Sequence, residues 1–158
     1  MVQAAIKAER GAGVQEILAY LDNWFACSSI FFTPYTLEYV KKSGRVSAAA
    51  AFVGELMGLK PVISFPDGES KVLDKVRGDK AVIPALTKYA VKNMIPHTEY
   101  VILVGSCGDK AKALAAEMEK AVGYPPAMIG TVGAAIAINC GPEAVGILIK
   151  DKTRPSMR

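Results

Sequence analysis

The sequence predicts an α+β fold, a mixed or largely antiparallel sheet with packed helices. Three observations predict it. Segments of helical period alternate with short β-rich runs along the 158 residues. Residues 61–65 and 69–76 flank Pro66-Asp67-Gly68, a hairpin signal that argues against a purely parallel sheet. There is no internal repeat and no low-complexity linker, so the length is that of one domain with a short lead-in.

In order, Val2–Glu9 is expected to be a short helix, broken at Gly11-Ala12-Gly13. Residues 14–24 form a better one, because Val14, Ile17, Leu18 and Leu21 recur at helical spacing. Residues 27–32 are β-rich and predict a strand. Thr36 is a candidate N-cap for a helix over 37–43, and Gly44 suits the left-handed residue that ends it. Ser47 caps a helix over 48–57 whose only charge is Glu55; a helix apolar nearly all round is a buried one. After the hairpin, Asp79 opens a helix running to Met94, with Pro84 favouring a later start that leaves it in the first turn. Residues 100–104 predict a strand and 105–108 a turn. Asp109 is the expected cap of a helix over 110–122, with Ala111, Leu114, Ala115 and Met118 on one face. Residues 127–131, 134–139 and 144–150 read as strands. The expected organisation is a helical lead-in over 1–25, an α+β domain over 26–150 and a basic tail over 151–158.

Composition excludes several classes. The hydrophobic fraction is 51%, yet no apolar run matches a membrane span. The best candidate, 128–149, holds Asn139, Glu143, glycines and a proline. Lys7, Glu9 and Arg10 interrupt the N-terminus, which argues against a signal peptide. Cys27, Cys107 and Cys140 form no CxxC, so reduced thiols in a cytoplasm are expected. The net charge of +4 is mixed with acids, and aromatics do not interleave with the basic residues, which argues against nucleic acid. One histidine and three scattered cysteines give no metal-ligand spacing.

Arg45 is the leading candidate for binding. A cationic helix ends at Gly44, one arginine follows, and an almost uncharged helix begins. The ordinary reading is a surface arginine favoured by a helix C-terminus. The functional reading is a guanidinium at the mouth of an apolar region, able to hold a carboxylate in a bidentate pair. Gly105-Ser106-Cys107-Gly108 follows a strand and opens a helix but lacks both phosphate-loop spacings, so it reads as a plain turn. Cys107 near a helix N-terminus, or Cys140, would carry the reading as a small enzyme. His97 behind Pro96 reads as a loop residue. Asn139 precedes Cys140-Gly141-Pro142, where it either satisfies local backbone groups or projects into a ligand site. Arg77, in a charged cluster with Asp79 and Lys80, is either a solvated edge or a docking patch.

Four blocks resemble the DegV family in order and spacing. The run from Leu37 to Val46, Leu-Glu-Tyr-Val-Lys-Lys-Ser-Gly-Arg-Val, is similar to that family's LeuGluTyrLeu-Lys-Lys-Gly-Gly-Arg-Ile signature. Leu59-Lys60-Pro61-Val62-Ile63 with Asp67-Gly68 resembles the next block, and Lys75-Val76-Arg77-Gly78 with Lys80 the one after. Ile138-Asn139-Cys140-Gly141-Pro142 with Ala144-Val145-Gly146 resembles the closing His-x-Gly-Pro block. The resemblance covers nearly all of this chain but only the C-terminal, lipid-enclosing half of such proteins. It implies binding of a fatty acid such as palmitate, stearate or oleate, with the tail in an apolar tunnel. It also implies presentation to a fatty acid kinase, and no catalysis or other cofactor in the chain itself. Arg45 and Asn139 would then meet the carboxylate, with Asn139 standing where the family has a histidine. Arg77 would lie on the kinase-facing side. Asn can donate a hydrogen bond but carries no charge.

Independently of the family, Ala48, Ala51, Phe52, Leu56, Ile63 and Phe65 are the apolar candidates for a tunnel lining, the alanines leaving room for methylenes. Burying a sixteen-carbon tail supplies on the order of 10 kcal/mol gross, much of it offset by ordering the tail. The rival expectation is a DegV-like domain with weak or no lipid binding, acting as a structural or oligomerising module.

Overall fold

The computed structural model describes residues 2–43 and 58–154. Helices α1 (Val2–Glu9) and α2 (Val14–Ala26) pack on each other and bury none of their own residues. Six strands then form one sheet among the described residues: β1 (Ser28–Thr33), β2 (Leu59–Ser64), β3 (Lys71–Arg77), β4 (Tyr100–Val104), β5 (Met128–Thr131) and β6 (Val145–Lys150), in the order β3-β2-β1-β6-β4-β5. Only the β4–β5 pair among these is parallel; the other neighbours are antiparallel. The sheet is therefore mixed and largely antiparallel, as the hairpin requires, with β2 and β3 joined through a 3₁₀ turn at Pro66–Gly68.

One face carries the core. Alternation puts Phe31, Tyr100, Ile102, Ile147 and Ile149 on it. Helices α4 (Val82–Asn93) and α5 (Gly108–Val122) cover it through Val82, Leu86 and Ala90, and through Ala111, Leu114 and Met118. These spacings make one stripe per helix, which is why both helices lie flat on the sheet. Pro84 is the third residue of α4, in its first turn, behind a 3₁₀ turn over Asp79–Ala81. Helix α5 begins at Gly108, so Asp109 lies inside its first turn rather than at the cap. There its charge still suits the helix dipole.

Among the described residues, one element differs in kind from the sequence expectation. Residues 134–139 are not a strand; they belong to helix α6 (Ala134–Cys140). Ile136 and Ile138 alternate with smaller residues and mimic a strand period, but alanine is the best helix former. Gly141, at φ +84°, then ends the helix. The residues after β6 are tied down at first: buried Asp151 donates its N–H to the Cys27 carbonyl, and its carboxylate accepts from Thr153. No helix among the described residues is long and apolar enough to cross a membrane.

Candidate ligand groove

The second face of the sheet is the one that α4 and α5 leave alone. Its residues are the out-of-phase partners of the core: Ile30 and Phe32 on β1, Ile63 on β2, Val72 on β3 and Leu103 on β4. Register aligns Val72, Ile63, Phe32, Gly146 and Leu103 in one row across the sheet. Gly146 is small for a reason. A Cβ there would stand 2.8 Å from Phe32 Cβ and 3.1 Å from the Phe31 carbonyl oxygen. The row therefore dips at Gly146, between Phe32 and Leu103.

Two short helices wall this dip. Helix α3 (Glu38–Lys42) with its flanking residues contributes Leu37, Val40 and Ser43; α6 contributes Ala135, Ile136, Asn139 and Cys140. Leu37, not Thr36, occupies the N-cap position of α3 and makes no side-chain cap bond; Thr36 stands one residue earlier, where its Oγ1 accepts from the Glu38 N–H at 3.2 Å. Tyr39 lies against Gly141, where a Cβ would come within 2.7 Å of the ring. Gly141 is thus needed both for its left-handed backbone and for the contact that seats α3 on α6. The partly open groove between them has a volume of about 540 Å³, within the range of ligand pockets, and its lining is mainly apolar.

The link from β1 to α3 is held by a buried aromatic between two lysines. Lys110 Nζ lies 3.5 Å from the centroid of the Tyr35 ring and 2.6 Å from Glu143 Oε2. Lys60 Nζ donates to the Tyr35 carbonyl and lies 3.1 Å from Asp79 Oδ1. Burial, then the Asp79 and Glu143 carboxylates, push the Tyr35 phenol up to about 12. Such cation–ring contacts are worth about 0.5–2 kcal/mol. They fix where α3 begins, and so where the groove ends.

Of the residues singled out from sequence, Ile63, Phe65 and Asn139 line this one cavity. The Asn139 amide nitrogen donates to the Ala135 carbonyl at 2.7 Å, one turn back in α6. Arg77 is exposed at the end of β3, opposite Leu59 in register, at the same end of the sheet as α3 and α6. Arg45, Ala48, Ala51, Phe52 and Leu56, with the expected buried helix over 48–57, lie outside the described residues. Cys140, a thiol candidate, and Gly146, in the closing block, also line the groove, whereas Ile30, Phe32 and Leu103 were not singled out from sequence. Ile30 and Phe32 were within reach of the alternation of β1; Leu103, Gly146 and α6 depend on pairings between distant segments.

Cys140 is buried in the lining, and that burial pushes its thiol up, the opposite of what an activated nucleophile needs. Cys107 precedes α5, and His97 sits in a loop at φ +59°. No cluster of metal-ligating side chains occurs among the described residues.

A family model described as "Uncharacterised protein, DegV family" matches residues 1–152. A DegV domain-containing protein of Clostridium perfringens is 30% identical over 149 residues, covering 93% of this chain and 52% of that protein. A fatty acid binding DegV family protein from Streptococcus agalactiae has a similar crystal structure, with TM-score 0.76, 29% identity, and coverage of 94% of this chain and 53% of that one. A DegV family protein from Eubacterium eligens loaded with heptadecanoic acid shares the fold at TM-score 0.81 and 19% identity, covering 95% of this chain and 55% of that one. The chain spans about half the length of the curated relatives it matches.

Proposed function

The chain belongs to the DegV family, and from that premise we propose that it binds a long-chain fatty acid in the groove on the second face of its sheet. The observation that carries the reading is the cavity of about 540 Å³, lined by Ile30, Phe32, Ile63, Val72 and Leu103 and bounded at one end by Ser43 and Asn139. An acyl chain is the ligand whose body matches such walls. Each buried methylene contributes about 0.8 kcal/mol, so the tail supplies affinity and the head supplies orientation. The similar Streptococcus agalactiae protein, itself described as fatty acid binding, supports the same ligand class.

In this reading Arg45 supplies the fixed positive charge for the carboxylate. Asn139 adds a neutral amide, whose nitrogen already serves the Ala135 carbonyl. The acyl tail runs along Ile63 toward Phe65, and Ala48, Ala51, Phe52 and Leu56 complete its cover. The protein carries the acid and does not transform it. Arg77, exposed at the head-group end of the sheet, meets a fatty acid kinase that acts on the presented carboxylate. The chain works in a cytoplasm.

Native mass spectrometry of the purified chain, followed by denaturing extraction, tests the reading. One bound fatty acid per chain is expected, with a fatty alcohol of the same length binding more weakly. A protein that is empty, and stays empty when palmitate or oleate is added, would overturn it and leave a folded module as the better description.

A further inference from the structure

The groove has two distinguishable ends. Ser43 and Asn139 lie where β1 runs on into α3 and β5 into α6. The β2–β3 turn lies at the other end: Ile63 pairs with Phe32, and each further step along β2 moves back toward the start of β1. There the lining is Ile30, Phe65, Gly68 and Ser70. The Phe65 ring stacks on Phe32, with centroids 5.4 Å apart and planes 6° from parallel. Between the ends, Gly146 stands beside Phe32 in register and puts no side chain in the way. A chain laid along the groove from the Asn139 end therefore crosses Gly146 and meets the aromatic pair.

We infer that the Phe32–Phe65 stack is the end wall of the groove and sets the length of acyl chain it accepts; this rests on the fatty-acid reading above. Two features fit Phe65 for the role. It is 41% exposed, so it stands at the rim and outside the core that folds the domain. Its position is nonetheless fixed, by the stack and by Arg154, whose Nη2 donates to the Phe65 carbonyl at 3.3 Å. Phe32 lies deeper, on a central strand, and supplies the backing surface. Methylenes that stop short of the wall are covered, and those that would pass it are not. Each methylene that gains or loses cover changes affinity about fourfold.

The test uses the full chain and a ladder of saturated fatty acids, each two carbons longer than the last, competing in one mixture. Bound acids are identified after extraction. Phe65→Ala is expected to shift the best-bound acid longer by about two to four carbons, since removing the ring opens space for a few methylenes. Phe65→Trp is expected to shift it shorter. A position at the rim leaves the unfolding midpoint of both variants near that of the parent, which circular dichroism checks. If the parent binds and neither variant moves the length profile, or if Phe65→Ala weakens every acid equally, the inference is overturned while the groove stands. If the parent binds no acid of any length, the reading of the groove falls and this inference with it.

Discussion

Tyr35 shows how a single side chain can tie three segments together and leave a measurable trace. Its ring packs under Lys110 of α5, its carbonyl accepts from Lys60 of β2, and it precedes α3. Burial, with the Asp79 and Glu143 carboxylates, pushes the phenol up to about 12; burial with Glu119 does the same to Tyr100, also to about 12. An unfolded tyrosine ionises near about 10. Below that pH both states keep the proton and the contribution is constant. Above it the unfolded chain releases protons first, so it binds fewer than the native state and stability falls as pH rises toward about 12. The urea midpoint is therefore expected to decline through the window from about 10 to about 12. The decline should be shallower in Tyr35→Phe, which keeps the ring over Lys110 and removes the ionisable group. An equally steep decline in that variant would remove Tyr35 as a source of the pH dependence.

Elements differ in what they owe to packing. Helix α5 buries Leu114 and Met118 completely against β4, whereas α6 leaves Ile136 and Ile138 at 57% and 68% exposure. Leu114→Ala is expected to cost about 2–5 kcal/mol, because it removes buried methyls and leaves a cavity. Ile138→Ala is expected to stay within about 0.5 kcal/mol, as for other substitutions away from the core. Denaturant unfolding of the two variants side by side checks the contrast. The same division explains what was legible in the sequence. Helices α1, α2, α4 and α5, all six strands and the hairpin carry their signals locally, in period and turn chemistry. For α6 the local period misled, because two exposed isoleucines at alternate positions look like a half-buried strand. Burial that would decide between them is fixed by packing against distant segments such as α3, not by the segment itself. The groove was legible in part. Ile63, Phe65 and Asn139 stood out, since β2 and the α6–β6 turn carry recognisable blocks. Phe32, Leu103 and Gly146 meet only through strand register between segments more than forty residues apart, and no local pattern encodes that.

The whole molecule is a sheet with two faces of unequal independence. One face is closed by α4 and α5 over a core that includes Leu86, Ile102, Leu114, Ile147 and Val62, all fully buried. That face needs no ligand. The other is closed by short helices over a cavity of about 540 Å³, and an acyl chain in it would supply apolar contacts that the chain itself lacks. The protein is therefore expected to stay folded without lipid but to gain stability when loaded. A ligand that binds only the native state adds about 2.7 kcal/mol at a free concentration one hundred times its Kd. For a domain of this size each kcal/mol moves Tm by about 2–4 °C, so the loaded protein should melt about 5–10 °C above the extracted one. Thermal unfolding of lipid-extracted protein, titrated with palmitate, measures this. Tm should keep rising with the logarithm of free acid after the site is full, as mass action requires. The extracted protein should still unfold cooperatively, since its core face is intact. A Tm indifferent to palmitate would mean that the second face closes on itself, and that its cavity contributes no binding. Loss of cooperative unfolding on extraction would mean the reverse, that the two faces fold as one unit and the ligand belongs to the core.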